Sequence, residues 1–294
     1  MKDEEIDIIE AQISCAKLSY KTAKQAVNDA ITRYDELKKS KRVGLLTGFP
    51  RFDSLTGGFK PSNYIVVSAE SGAGKTTFGL NIAANVAERG EGVLIFSLEM
   101  DAAEVIDVLV CRESRVFRSK FNTVTFNQQD VSRIYAASVK ISKWPIYIFD
   151  DAELTIEQIR NAAILMRTQM PVSLVIIDYI QLVGTEKDCG NREQEVAHIS
   201  RKIKALAKEM AVPVIGLSQL NDDGKIRESR AIRHDANIVL NLMGSAPNIT
   251  VDVNKGRSIP KGKYYLKFED DLATFTETGC DEYIQKALDA LKKE

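Results

Sequence analysis

"YIVVSAESGAGKTTFGLNIA", residues 64–83, decides how this chain is read. It opens on an unbroken apolar run, 64–69, passes through small residues and continues as GKTT. A short apolar run rich in β-branched residues and bounded by Gly reads as a buried strand. Residues 69–76, AESGAGKT, fit the phosphate-binding loop pattern, with Ala69 in place of its first Gly. Gly72 and Gly74 let the backbone wrap a phosphate with its N–H groups inward, and Ser71 and Ala73 keep the loop small. Lys75 is placed to reach the β- and γ-phosphates, and Thr76, followed by Thr77, offers a hydroxyl to Mg²⁺. A helix from about Lys75 to Glu88 adds its dipole to the anion site.

Outward from this unit, strands and helices alternate. "GVLIFSLE" (92–99), "PIYIFDD" (145–151), "SLVIIDYIQLV" (173–183) and "VPVIGLSQL" (212–220) read as strands. Helices are expected from about Ala102, over 155–170 and over 192–210. Near-continuous apolar strands alternating with helices predict a parallel sheet covered on both faces. After Asp235 the pattern changes to four short runs, "ANIVLNLM", "NITVDVNKG", "KYYLKFE" and "ATFTE", read as an antiparallel extension of the same sheet. "DEYIQKALDALKKE", residues 281–294, reads as a terminal helix. At the other end, residues 5–39 carry apolar residues in steps of three and four without Pro or Gly, a heptad seam rich in Ala and Tyr. That seam serves either a helix or helical pair packed on the next domain or an arm reaching another subunit. Residues 40–58, "SKRVGLLTGFPRFDSLTGG", read as a Gly-containing linker into the compact domain.

Composition narrows the function. The 294 residues carry a formal net charge of −1, so no global basic field draws nucleic acid and any such binding needs a local patch. The four cysteines are scattered without a CxxC pair, which reads as reduced thiols of a cytosolic protein. The acidic N-terminus lacks the apolar core of a signal peptide, and no apolar run approaches a membrane span.

Further candidates sit at strand ends, where the carboxyl edge of a parallel sheet lines its ligand crevice. Asp178, ending an apolar run, suits a second Mg²⁺-organising group, although a strand-end Asp alone also starts turns. Glu99 can orient and deprotonate an attacking water, or be a solvated rim carboxylate. Gln219 can hydrogen-bond a γ-phosphate without adding charge. Residues 222–236 cluster Lys225, Arg227, Arg230 and Arg233 and could bind a phosphate backbone, but interleaved acids favour a solvated charged loop on composition alone. In "VNKGRSIP" (253–260), Lys255 and Arg257 lie two residues apart on a strand end and point one way, as if toward an anion.

"LTGFPRFDSLTGGF", "SAESGAGKTTFGLNIA", "VLIFSLEM", "LVIIDYIQLV", "NREQEVAHISRKIKALAKEMAVPVIGLSQLN" and "RESRAIRHDANIV", in this order, resemble the RecA-fold C-terminal domain of DnaB-type replicative helicases over about residues 28–277. The resemblance implies an α/β, RecA-like P-loop domain and a hexameric homo-oligomer, driven by ATP and Mg²⁺, that encircles and translocates on single-stranded DNA. Carried over by position, Lys75 and Thr76 match the phosphate-binding pair, Glu99 the catalytic glutamate, Asp178 the Mg²⁺-site aspartate and Gln219 the phosphate-sensing glutamine. Lys255 and Arg257 match a K-x-R that reaches a neighbouring subunit's γ-phosphate. Arg227 and Glu228 belong to the DNA-facing "RES", and Arg230 replaces a family Gly, offering a side-chain phosphate contact there. Residues 183–192 and 221–231 are the DNA-facing loops by the same likeness.

The implied organisation is a helical segment with a linker helix over 1–42, a motor domain over 43–280 and a C-terminal helix over 281–294. By the same likeness the family's globular N-terminal domain, which docks primase, is expected to be missing, with only a helical segment in its place. Primase or a helicase loader are implied partners, with no membrane, in the cytoplasm of a bacterium or a phage-infected host. Two rivals are weighed beside this reading: a strand-exchange or clock-type RecA ATPase, and a helicase-like oligomer that serves as a loader or inhibitor.

Overall fold

The structure, a computed structural model, describes residues 21–40, 43–220, 230–256 and 259–278. The chain divides into two units, residues 1–43 and 44–294.

In the first unit, helix α1 spans Ala23–Ser40. Thr22 Oγ1 accepts from Gln25 N at 3.2 Å, and Gln25 Oε1 accepts from Thr22 N at 2.8 Å. This reciprocal capping box satisfies two N–H groups that a helix start leaves unpaired. It starts a helix at Ala23, so the helix expected over 5–39 is not continuous through Lys21–Thr22. Val27, Ile31 and Tyr34 are exposed along α1. The remainder of the expected seam, residues 5–20, lies outside the described residues, as does the expected helix over 281–294.

The second unit is built on one nine-stranded sheet in the order β3-β2-β4-β5-β1-β6-β7-β8-β9. The strands are β1 Tyr64–Ala69, β2 Val93–Ser97, β3 Ile146–Phe149, β4 Leu174–Asp178, β5 Val214–Gln219, β6 Ile238–Ser245, β7 Asn248–Gly256, β8 Lys263–Glu269 and β9 Thr274–Glu277. Pairings from β3 through β6 are parallel. β6, β7, β8 and β9 then form an antiparallel meander. The expected extension is therefore present, with β6 parallel to β1 on one side and antiparallel to β7 on the other.

Alternate residues of β1 serve opposite faces, as the strand period requires. Ile65 and Val67 join one core cluster with Ile82, Val86 and Leu109. Tyr64 and Val66 join the other with Ile159, Ile199, Ile203 and Leu206. The first face is covered by α3 (Lys75–Ala87) and α4 (Ala102–Ser114), the second by α7 (Ile156–Gln169) and α8 (Arg192–Met210).

Three sequence expectations need correction. The stretch read as a linker is packed from Gly44 onward. Leu45 and Phe59 form an antiparallel bridge around α2 (Pro50–Thr56). Asp53 accepts from Thr47 N and Oγ1, both at 2.8 Å, and from Gly48 N at 2.9 Å, while Phe52 and Phe59 enter the core. The run 173–183 is not one strand. β4 stops at Asp178 and a 3₁₀ turn spans Ile180–Leu182, because Ile180 tucks under β5. A Cβ on Gly216 would lie 2.6 Å from Ile180 Cδ1. Finally, α5 (Arg118–Thr123) and α6 (Gln128–Ile141) precede β3, where the sequence reading places no helix. A capping box, Asn127 with Asp130, starts α6 and is legible as N-x-x-D.

Candidate active site

The loop between β1 and α3 is shaped by two glycines with left-handed backbone, Gly72 at φ 78° and Gly74 at φ 82°. At Gly74 a Cβ would also lie 2.7 Å from Phe268 Cε1, and Phe268 is fixed by stacking on Phe275 at 4.2 Å. Any side chain at 74 therefore meets both backbone strain and a rigid ring. Ala73 turns its methyl into the core, and its N–H is donated to Glu70 O at 3.3 Å. Ser71 is exposed beside the loop, and Thr77 is buried in the first turn of α3.

The sheet register brings the remaining groups to one edge. Ala69 pairs with Gln219 across β1 and β5, and Ser97 with Asp178 across β2 and β4. Leu98 N donates to Asp178 O at 2.8 Å, so Glu99 leaves β2 beside the end of β4. Lys75, Thr76, Glu99 and Gln219 line one open cleft.

Beneath it, Thr76 Oγ1 donates to Asp178 Oδ2 at 2.6 Å, and Lys75 Nζ lies 3.7 Å from Asp178 Oδ1. Lys75 Nζ also sits 4.2 Å from the centre of the Tyr179 ring, a cation–π contact. Burial pushes the Lys75 ammonium down from the usual lysine range, against the attraction of Asp178 and Glu99. Burial likewise pushes the Asp178 carboxyl up, opposed by Lys75 and Thr76 and reinforced by Glu99. An incoming polyphosphate favours the charged ammonium and an incoming cation favours the carboxylate, so both ligands relieve what burial costs here.

The residues fit Mg²⁺. Asp178 Oδ1 is buried with no hydrogen-bond partner, next to the Thr76 hydroxyl. Mg²⁺ commonly takes one or two protein oxygens and completes its shell with phosphates and water. Correspondingly, among the described residues no cluster of three or more His, Cys, Asp or Glu is arranged to hold a metal.

Five expected residues are thus brought together: Lys75, Thr76, Asp178, Glu99 and Gln219. Lys255 is placed elsewhere, on β7, with its ammonium donating to the carbonyls of Arg233 at 2.8 Å and His234 at 2.7 Å in its own chain. Those carbonyls end the short helix α9, Arg230–Asp235, where a helix leaves its last acceptors open. Arg227, Glu228 and Arg257 lie outside the described residues, as does the side chain of Arg230.

Sequence reading misses three groups. Arg118, at the start of α5, and Asp270, just after β8, also line the cleft. Arg118 belongs to a helix not expected from the sequence, and Asp270 carries no local pattern. The third is Gln181, buried in the turn after β4; its signal is hidden because the turn reads as strand.

The model for the DnaB-like helicase C-terminal domain matches residues 44–277. The replicative DNA helicase DnaB of Geobacillus stearothermophilus is 34% identical over 262 residues, covering 81% of this chain and 58% of that protein. The replicative DNA helicase DnaC of Bacillus subtilis is 35% identical over 237 residues, covering 74% of this chain and 52% of that protein. The chain thus spans about half the length of these relatives. Among solved structures, an ATPase domain superposes with a TM-score of 0.82 at 27% identity, over 89% of this chain and all of that one. A DnaB-like replicative helicase, studied for its interactions with primase, superposes with a TM-score of 0.79 at 27% identity, over 89% of this chain and 68% of that one.

Proposed function

Because this chain belongs to the DnaB-like helicase C-terminal domain family, we propose that it is the motor of an ATP-driven replicative DNA helicase. The observation that carries the proposal is the Thr76–Asp178 hydrogen bond under the phosphate loop, with Asp178 Oδ1 left open beside Lys75. Such an arrangement suits a Mg²⁺–nucleotide site better than a structural ion pair, since a structural pair would satisfy both carboxylate oxygens.

In this reading the loop N–H groups and Lys75 hold the phosphates. Thr76 and Asp178 would hold Mg²⁺, which would supply neutralisation of the phosphate charge. Glu99 accepts the proton of the attacking water, and Gln219 senses whether a γ-phosphate is present. Arg257 of one subunit faces the ATP of the next. Lys255, engaged with its own chain's carbonyls, ties β7 to α9, so the charge supplied across the interface is assigned first to Arg257. The assembly is a homo-oligomer, a hexameric ring around single-stranded DNA. Its cellular setting is the cytoplasm of a bacterium or phage-infected host, with primase or a helicase loader as partners. No described helix is long and apolar enough to cross a membrane.

Steady-state ATPase measured with Mg²⁺, with and without oligo(dT), tests this reading. Turnover that requires Mg²⁺ and rises with oligo(dT) is expected. Nucleotide binding without turnover would instead favour the non-catalytic loader or inhibitor reading, and turnover indifferent to DNA would favour the clock-type RecA ATPase.

The DNA-facing loop carries a separate expectation. Arg227→Ala and Arg230→Ala should weaken single-strand binding with little sequence dependence, because phosphate contacts carry no base information. Each lost contact should lower the slope of log affinity against log salt by roughly 0.7. Salt titrations of the two single variants and the double variant check this, and an unchanged slope in the double variant returns 222–236 to a solvated surface.

A further inference from the structure

We propose that Gln181 is a positioning residue that couples the γ-phosphate sensor Gln219 to the surface loop 183–191. This inference rests on the helicase reading above. Gln181 is 9% exposed and sits in the 3₁₀ turn that follows Asp178.

Its side chain brackets the end of β5. Nε2 donates to Ser218 Oγ at 2.9 Å and to Gln219 O at 3.2 Å, while Oε1 accepts from Gln219 N at 3.4 Å. The amide thus reads the backbone of Gln219 as a neighbouring strand would, donating to its carbonyl and accepting from its N–H. The next residue is held on the opposite side, with Leu220 N donating to Ala69 O at 3.0 Å. The sensor's backbone is therefore clamped between the phosphate-loop strand and Gln181.

The main chain of Gln181 faces the other way. Its carbonyl accepts a hydrogen bond from Arg192 Nη2. Arg192 is the first residue of α8 and also pairs with Glu195 at 2.8 Å. The loop 183–191 begins after the Gln181 turn and ends at Arg192, so this bond closes its base. Its first part is held as well: Gly184 bridges Thr155, and Glu157 accepts from Thr185 Oγ1 and Glu186 N, both at 3.4 Å. The loop is thus held at two points, at its start by the beginning of α7 and at its base by the Gln181 carbonyl, and only the second attachment moves with the turn.

One buried residue is therefore bonded through its side chain to the sensor and through its carbonyl to the loop base. Asp178, three positions earlier, is bonded to Thr76 of the phosphate loop. A shift that reaches the Gln219 main chain when the γ-phosphate leaves moves or breaks the Gln181 bracket, because a buried amide holds its partners more cheaply than it abandons them. Moving the bracket moves the carbonyl that Arg192 holds. The two sites then share a coupling free energy, and coupling is read as a ratio of affinities.

The experiment measures the affinity of fluorescent oligo(dT) by anisotropy in saturating Mg²⁺–AMP-PNP and in saturating Mg²⁺–ADP. The ratio of the two affinities in the wild type should fall in the usual range of about 5–150 for coupled sites. Gln181→Met keeps the side-chain length and removes the bracket; Arg192→Gln leaves the bracket and releases the loop base. Each should bring the ratio to within about twofold of unity, and the double variant should do no more than either alone. A general loss of stability lowers both affinities together and leaves the ratio in place. If Gln181→Met does not fold, Arg192→Gln decides by itself. A folded Arg192→Gln with the wild-type ratio overturns the inference whatever Gln181→Met does. A wild-type ratio near unity would instead contradict nucleotide-gated DNA binding itself, and with it the helicase reading.

Discussion

Glu99→Gln is expected to bind ATP with near wild-type affinity and to hydrolyse it about 10²–10⁴-fold more slowly, the usual cost of losing a general base. The substitution is nearly isosteric and removes the charge that can take a proton from water. Glu99 is well placed for the role. It follows β2 at the carboxyl edge of the sheet, is exposed to the cleft, and lies close enough to influence the charge of both Lys75 and Asp178. Lys75→Ala should fail differently, weakening nucleotide binding as well as turnover, because it removes the cation from the phosphates. Nucleotide titration with single-turnover hydrolysis separates the two outcomes. A Glu99→Gln protein that turns over at the wild-type rate would move the base assignment to another carboxylate of the cleft, with Asp270 the first to examine.

Arg257→Ala should cost more. It is expected to assemble and bind nucleotide yet lose about 10³–10⁵ in rate, the usual worth of an arginine finger in phosphoryl transfer. Lys255→Ala should lose less, since its ammonium is already held by the carbonyls of Arg233 and His234. If Arg257 serves a neighbour's ATP, each working site takes Lys75 and Glu99 from one chain and Arg257 from the next. Mixing inactive Lys75→Ala with inactive Arg257→Ala then creates interfaces where an intact phosphate loop faces an intact finger. Hydrolysis should reappear on mixing and peak near equal proportions, with co-assembly followed by native mass spectrometry. Mixed rings that form yet hydrolyse nothing at any ratio would contradict the shared site and return Arg257 to a role within its own chain or toward DNA.

Much of this architecture is legible in the sequence, for identifiable reasons. Strands β1, β2, β4 and β5 are buried on both faces, so their apolar runs stand out, and their last polar residues mark the site edge. That is why Asp178, Glu99 and Gln219 can be picked from strand ends by sequence alone. The phosphate loop is legible because its chemistry needs Gly and Lys at fixed spacing.

What escapes reading is held by long-range contacts. The segment 44–58 looks like a linker because its Gly and Pro are turn formers, yet Asp53 folds it on itself and Glu277, far along the chain, accepts from Arg51 N and Phe52 N. The 3₁₀ turn after β4 continues a strand-like apolar run, and the close fit of Ile180 beneath Gly216, a long-range contact, accompanies the end of the strand. Gln181 is lost with it. In the first unit the capping box of Thr22 and Gln25 starts a helix at Ala23 within the heptad period, which agrees with the helical-pair alternative.

Strand separation on a forked DNA duplex tests the central claim most directly. The substrate carries single-stranded tails on both strands and a fluorophore–quencher pair at the junction. With Mg²⁺–ATP the wild-type protein should release the labelled strand in repeated turnover. With AMP-PNP, or with Glu99→Gln and ATP, it should bind the fork and release none. Robust DNA-stimulated hydrolysis without strand release, or release that proceeds equally well without hydrolysis, would contradict the account.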